Sequence, residues 1–87
     1  MSNGTKLVYS IYSRPECHLC DDMLAELKKW QNQYDFEFEV FNIDNDSELT
    51  ARYAARIPLL ALDQTEICEY HFNEKSFLDS LNNYNKA

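Results

Sequence analysis

The sequence predicts one α/β domain in the order βαβα then ββα, a four-stranded mixed sheet flanked by three helices. Three observations lead there. Apolar residues run almost unbroken over residues 7–12, the apolar spacing changes to three and four residues from Cys17 onward, and a hairpin pattern followed by a last helical stripe closes the chain.

Leu7, Val8, Tyr9, Ile11 and Tyr12 make the first strand, which its continuous apolar character predicts to be covered on both faces. Arg14-Pro15 breaks it. Over residues 17–31, Leu19, Met23, Leu27 and Trp30 recur at helical spacing with Cys20 and Leu24 beside them, an amphipathic helix long enough to cross back over the sheet. Residues 35–44 alternate Phe36, Phe38 and Val40 against Glu37 and Glu39, then add Phe41 and Ile43. Charges at those positions suit a sheet edge, and a right-handed crossover sets this strand parallel to the first. Asp44, Asn45, Asp46 and Ser47 each offer an N-cap for a short helix with Leu49 and Tyr53, ending near Ala55. Leu59, Leu60 and Leu62 begin a third strand after Ile57-Pro58, and Asp63-Gln64 turns it into a fourth over residues 65–70. Asn73 caps a last helix with Phe77, Leu78 and Leu81 on one face, which Tyr84 would extend; fraying is expected from Asn82. The first four residues read as a loose tail. The reading is therefore a single domain over residues 1–87 with an ordered core at about residues 5–82.

Composition narrows the function classes. A chain of 87 residues, 45% hydrophobic and 14% aromatic, with one Gly and two Pro, builds a core rather than a disordered segment. Lys plus Arg is 8 against 15 for Asp plus Glu, a net charge of −7 that repels phosphate backbones and anionic lipid, so neither nucleic acid nor membrane is an expected partner. No apolar run has the length of a membrane span and residues 1–6 lack the apolar core of a signal peptide, so a cytoplasmic monomer is expected. Three cysteines are too few and odd in number for a disulfide framework.

Redox or metal chemistry remains for Cys17-x-x-Cys20, which opens a helix directly after a strand. Only a thiolate attacks a disulfide, and Cys17 has two sources of stabilisation for that charge: the unpaired N–H groups of the helix start, and Arg14 three residues earlier. Glu16, Asp21 and Asp22 oppose them, leaving a modest net depression of the thiol's pKa as the expectation. Cys20 lies one turn on, on the face of Leu24 and Leu27, and should be the less exposed. Cys17 is then the nucleophile and Cys20 the resolving thiol. Because residues three apart in a helix hold their Cβ atoms farther apart than a relaxed disulfide wants, closing the bridge is expected to distort the first turn and make it easily reduced. His18, between the cysteines, would favour the thiolate when cationic.

A rival reading takes Cys17 and Cys20 with Cys68 and His71 as a zinc set in a non-catalytic binding or adaptor domain. Cys68 and His71 come at the end of a predicted strand rather than on a loop, which argues against it, and no metal is expected. Cys68 reads better as a core thiol, His18 and His71 as surface residues, Asp21-Asp22 as a solvated helix start, and Trp30 with the phenylalanines as core.

Taken together, Arg14-Pro15-Glu16-Cys17-His18-Leu19-Cys20, Arg56-Ile57-Pro58-Leu59-Leu60 and the closing hairpin plus helix resemble the small glutaredoxin-like proteins of bacteria, in the thioredoxin superfamily. The resemblance spans residue 7 to about residue 81. It implies a thioredoxin-like fold, thiol-disulfide oxidoreductase activity in electron transport and cell redox homeostasis, and a cis proline at Pro58 beside the redox pair, where the backbone of Ile57 pairs with substrate. It also implies a cation at Arg14 near the sulfur. The chain departs from the glutathione-using members. His18-Leu19 stands where they have Pro-Tyr, and Tyr70-His71-Phe72-Asn73 where they have Gly-Gly and an acidic residue. The cradle for the glutathione carboxylate is thus missing from the sequence, and no tightly bound cofactor is expected. Thioredoxin's Trp-Cys-Gly-Pro-Cys is absent, and Ile11 takes the place of its buried Asp. The implied partners are a thiol- or disulfide-bearing protein or small thiol, and a separate reductant.

Overall fold

A computed structural model describes residues 7–85, with side chains described through residue 82. The expected loose tail, the start of the ordered core near residue 5 and the packing of Tyr84 lie outside the described residues. Four strands, β1 (Leu7–Ser13), β2 (Phe36–Asn42), β3 (Leu59–Leu62) and β4 (Thr65–Glu69), form one sheet in the order β2-β1-β3-β4. β2 runs parallel to β1 at the sheet edge, as the crossover rule predicts, and β1-β3 and β3-β4 are antiparallel. Helices α1 (His18–Trp30), α2 (Ser47–Tyr53) and α3 (Glu74–Asn85) complete the expected order, with a single 3-10 turn at Ile43–Asn45 before α2. No helix among the described residues is long and apolar enough to cross a membrane.

Burial alternates along β1, so its two faces differ. Tyr9 and Ile11 are fully buried in one core with Met23 and Leu27 of α1, Leu60 and Leu62 of β3, and Phe77 and Leu81 of α3. The rings of Tyr9, Phe36, Phe72, Trp30 and Phe77 meet there at centroid distances of 5.3–6.0 Å. Tyr9 donates its hydroxyl hydrogen to Ser80 Oγ at 2.6 Å while Ser80 donates to the Phe77 carbonyl, so the buried phenol is satisfied. On the other face Tyr12 stacks on Tyr53 of α2 at 4.5 Å and on Phe41 at 5.4 Å, but α2 is only seven residues long and Val8 stays 38% exposed. The expectation that β1 is covered on both faces is therefore corrected. Phe41, expected in the core, is likewise 36% exposed, because it sits on the edge strand with its ring covered on one side by Tyr12.

Local chemistry settles the remaining elements. Asp46 is the cap of α2, accepting the N–H groups of Glu48 and Leu49. Asp63 adopts φ 56° in the β3–β4 turn, taking the left-handed position that glycine would otherwise fill. Asn73 caps α3 by accepting the Ser76 N–H at 2.9 Å. That helix continues to Asn85, past Asn82, where fraying was expected.

Candidate active site

Pro15 and Glu16, the latter left-handed at φ 58°, turn the chain from β1 into α1. Cys17 stands just outside the helix with extended backbone (φ −109°, ψ 108°), and its Sγ accepts the Cys20 N–H at 3.2 Å. The sulfur is thus the helix cap, facing amide groups whose partial positive charge favours an anion there. Cys17 and Cys20 are joined as a disulfide with their Cα atoms 5.1 Å apart. The expected distortion of the first turn does not arise, because the bridge spans a cap residue and a helical one rather than two helical positions. Cys20 is 2% exposed and Cys17 half-buried, the order the helical face predicted.

The neighbours of the pair are committed elsewhere in ways the sequence does not announce. Arg14 directs its guanidinium to Asp44, 3.0 Å away in the 3-10 turn after β2, so its charge is shared with a carboxylate rather than reserved for the sulfur. His18 is almost fully solvated, with Nε2 3.7 Å from Asp22.

The Ile57-Pro58 peptide is cis and Pro58 is buried. Tyr12 pairs with Leu59, so the antiparallel register brings Pro58 to the end of the sheet from which β1 leads to Cys17. The segment before the proline is gripped by the following hairpin. Arg56 donates to Glu69 from Nε at 3.1 Å and to Glu66 from a terminal nitrogen at 3.2 Å, with further contacts from its second terminal nitrogen to both carboxylates. These carboxylates hold the guanidinium pKa above its ordinary value, and Arg56 in turn holds Glu66 below the usual carboxylate range. Tyr70 adopts φ 69°, unusual for a bulky residue; its N–H donates to the Pro58 carbonyl at 2.8 Å and its hydroxyl to the Ala55 carbonyl. Arg56, Glu66, Glu69, Tyr70 and Asp44 are the residues sequence reasoning missed. For the arginine the available signal was a cation directly before Ile57-Pro58 with two glutamates on the next strand of the hairpin.

The rival zinc set does not assemble. Cys68 lies opposite Leu60 in β4, packed half-buried against the core, where burial pushes its thiol pKa up against the opposing effect of a hydrogen bond with the Asn73 backbone. His71 is exposed, and among the described residues no three His, Cys, Asp or Glu side chains gather in a way that could hold a metal ion. A groove of about 490 Å³ does open beside the redox pair, between α1 and residues 70–74; Leu19, Met23 and Phe72 line it together with Asp22, Glu26 and Glu74.

Against known proteins, the model of the glutaredoxin-like domain family DUF836 matches residues 9–82. The chain belongs to that family. Among solved structures, this glutaredoxin-like chain is similar to protein Ne2328 of Nitrosomonas europaea, with 35% identity and a TM-score of 0.78 over 92% of this chain and 98% of that one. It is also similar to protein XcR50 of X. campestris, at 26% identity and a TM-score of 0.65 over 85% and 95% of the two chains. Thioredoxin 1 of Thermosipho africanus, at 18% identity, TM-score 0.62 and coverage of 92% and 96%, shares the fold. No curated protein matches the chain. The glutaredoxin-like family and the thioredoxin fold agree with a Cys17–Cys20 pair at disulfide distance, an arrangement suited to redox chemistry.

Proposed function

We propose that this glutaredoxin-like protein is a thiol-disulfide oxidoreductase. The observation that carries the reading is the asymmetry of the pair: Cys17 is a half-exposed helix cap, and Cys20 is buried within bonding reach of it. In the reduced protein the Cys17 thiolate attacks a substrate disulfide, forming a mixed disulfide and releasing one substrate thiolate. The Cys20 thiolate then attacks Cys17 Sγ, closing the internal bridge and releasing the second substrate thiol. Two electrons pass from the dithiol to the substrate, and a dithiol reductant restores the pair. The Cys20 N–H, directed at Cys17 Sγ, favours that sulfur as the attacking thiolate. In this reading the Ile57 backbone beside Pro58 aligns the substrate chain, Arg14 contributes its shared positive charge, and His18 tunes the pair from solvent. The reductant is a separate molecule, no tightly bound cofactor takes part, and the setting is cytoplasmic redox homeostasis.

Redox titration with thiol alkylation tests the proposal. A reversible two-electron couple is expected in the wild type and lost in Cys17→Ser, while Cys20→Ser accumulates mixed disulfides with its substrates because resolution is blocked. If the reduced protein fails to reduce any protein, peptide or small-molecule disulfide, catalysis is excluded and a non-catalytic adaptor remains.

A further inference from the structure

The groove beside the redox pair carries charge of one sign. It begins at Leu19, between the two cysteines in sequence, and runs along α1 opposite residues 70–74, with Tyr70, whose N–H is bonded to the Pro58 carbonyl, in its wall. Its apolar lining is Leu19, Met23 and Phe72, and its charged lining is Asp22, Glu26 and Glu74, with no lysine or arginine among the described residues. The two arginines that flank the site are paired with carboxylates, Arg14 with Asp44 and Arg56 with Glu66 and Glu69. The exposed His18 near Asp22 and His71 in the lining are the remaining basic groups there. The start of α3, a natural anion position, is already served: Asn73 Oδ1 takes the Ser76 N–H, and Glu74 occupies the first turn. A helix end offers about half a unit of positive charge, less than the full negative charge of a single carboxylate. Repulsion therefore wins for any incoming anion.

We propose that this groove selects a cationic protein or peptide disulfide. An apolar residue next to the target cysteine packs on Leu19 and Phe72, and a lysine or arginine beyond it meets Asp22, Glu26 and Glu74. The inference rests on the exchange reading above. Glutathione, a net anion at neutral pH, is disfavoured by the same carboxylates. In the reaction the protein dithiol becomes the internal disulfide as the peptide disulfide becomes a dithiol, with two electrons and two protons transferred.

The test uses the full chain, reduced, and three peptides that differ only in the residues flanking one internal disulfide: lysine, serine or glutamate. Rates of protein oxidation are read by alkylation and mass spectrometry. At low salt the lysine peptide should react about tenfold faster than the glutamate peptide, the size expected from a few unit-charge contacts at water-like dielectric. The ratio should shrink toward one at about 1 M salt, where the screening length is only about 3 Å. Replacing Asp22→Asn, Glu26→Gln and Glu74→Gln together should lower the lysine rate and raise the glutamate rate. Because the chain's net charge of −7 by itself favours the lysine peptide at low salt, Asp22→Asn alone serves if the triple variant folds poorly, and a lysine-to-glutamate ratio unchanged from the wild type overturns the groove's role. If the serine peptide is reduced and the lysine and glutamate peptides react within twofold of each other, the groove's selectivity is overturned and the exchange reading stands. If none of the three is reduced, both fall.

Discussion

The two faces of the sheet are built to different standards. On the α1 and α3 face, Tyr9, Ile11, Leu27 and Phe77 have no exposed surface and several aromatic rings interlock. On the α2 face, no residue of the helix is fully buried, Tyr12, Tyr53 and Phe41 form a stack, and Val8, four residues back along β1, is exposed to solvent. Both elements of the redox site depend on this arrangement. The cap at Cys17 is anchored through Cys20, Met23 and Leu27 in the thick face, whereas Arg14 reaches toward the thin one through Asp44. Rigidity at the sulfurs thus comes from the layer that α1 and α3 pack, while the guanidinium of Arg14 is tied to a carboxylate in the turn before α2.

The two faces differ most at Phe77 and Tyr53. Phe77→Ala should destabilise the chain by about 3–5 kcal/mol, because it removes a fully buried ring and leaves a cavity that its neighbours fill only in part. Tyr53→Ala should cost only about 1–2 kcal/mol, since its ring is half-exposed and loses mainly the stack on Tyr12. Urea midpoints measured with the Cys17–Cys20 bridge oxidised in every sample give both values; equal costs would erase the distinction between the faces. Asp46→Ala sharpens the same point within the thin face, with an expected loss of about 1 kcal/mol from the α2 cap and little change in the rate at which Cys17 is alkylated after reduction.

The smallest effect is on pH dependence, and it belongs to the thick face. Burial raises the Cys68 thiol pKa, so the folded chain holds a proton that the unfolded chain loses near the ordinary thiol value of about 8.5. The contribution of Cys68 is complete below that pH and declines as pH rises toward the folded value. Tyr9, also raised mainly by burial, adds a decline in the same direction at higher pH. With the bridge oxidised, Cys68→Ala should show a shallower loss of urea stability between about pH 8 and 10 than the wild type; parallel slopes would remove Cys68 from the account.

The sequence made much of the site legible because the needed signals are local. Cys17, Cys20 and the following helix are consecutive, and Ile57-Pro58 opens a strand whose place follows from the crossover and hairpin patterns. What it hid depends on residues far apart in the chain. Arg14 and Asp44 are 30 positions apart, and a carboxylate at that distance has no sequence mark distinguishing it from Asp46, which caps a helix instead. The exposure of Phe41 was hidden for another reason: an apolar residue added to a strand pattern does not show whether its face of an edge strand will be covered.

By itself, then, the sequence determined the element order, the redox pair at a helix start and the proline that precedes β3, all carried by short-range periodicity and turn chemistry. Tertiary structure decided that Cys17 is the cap rather than the first helical residue, that Tyr70 takes a left-handed backbone to bond Pro58 and Ala55, and that Arg14 and Arg56 are paired while the groove's carboxylates are left facing an opening. The reason is physical. Local preferences of the chain choose helix, strand or turn, but which charges meet is set only when the packed sheet brings distant segments within a few ångströms.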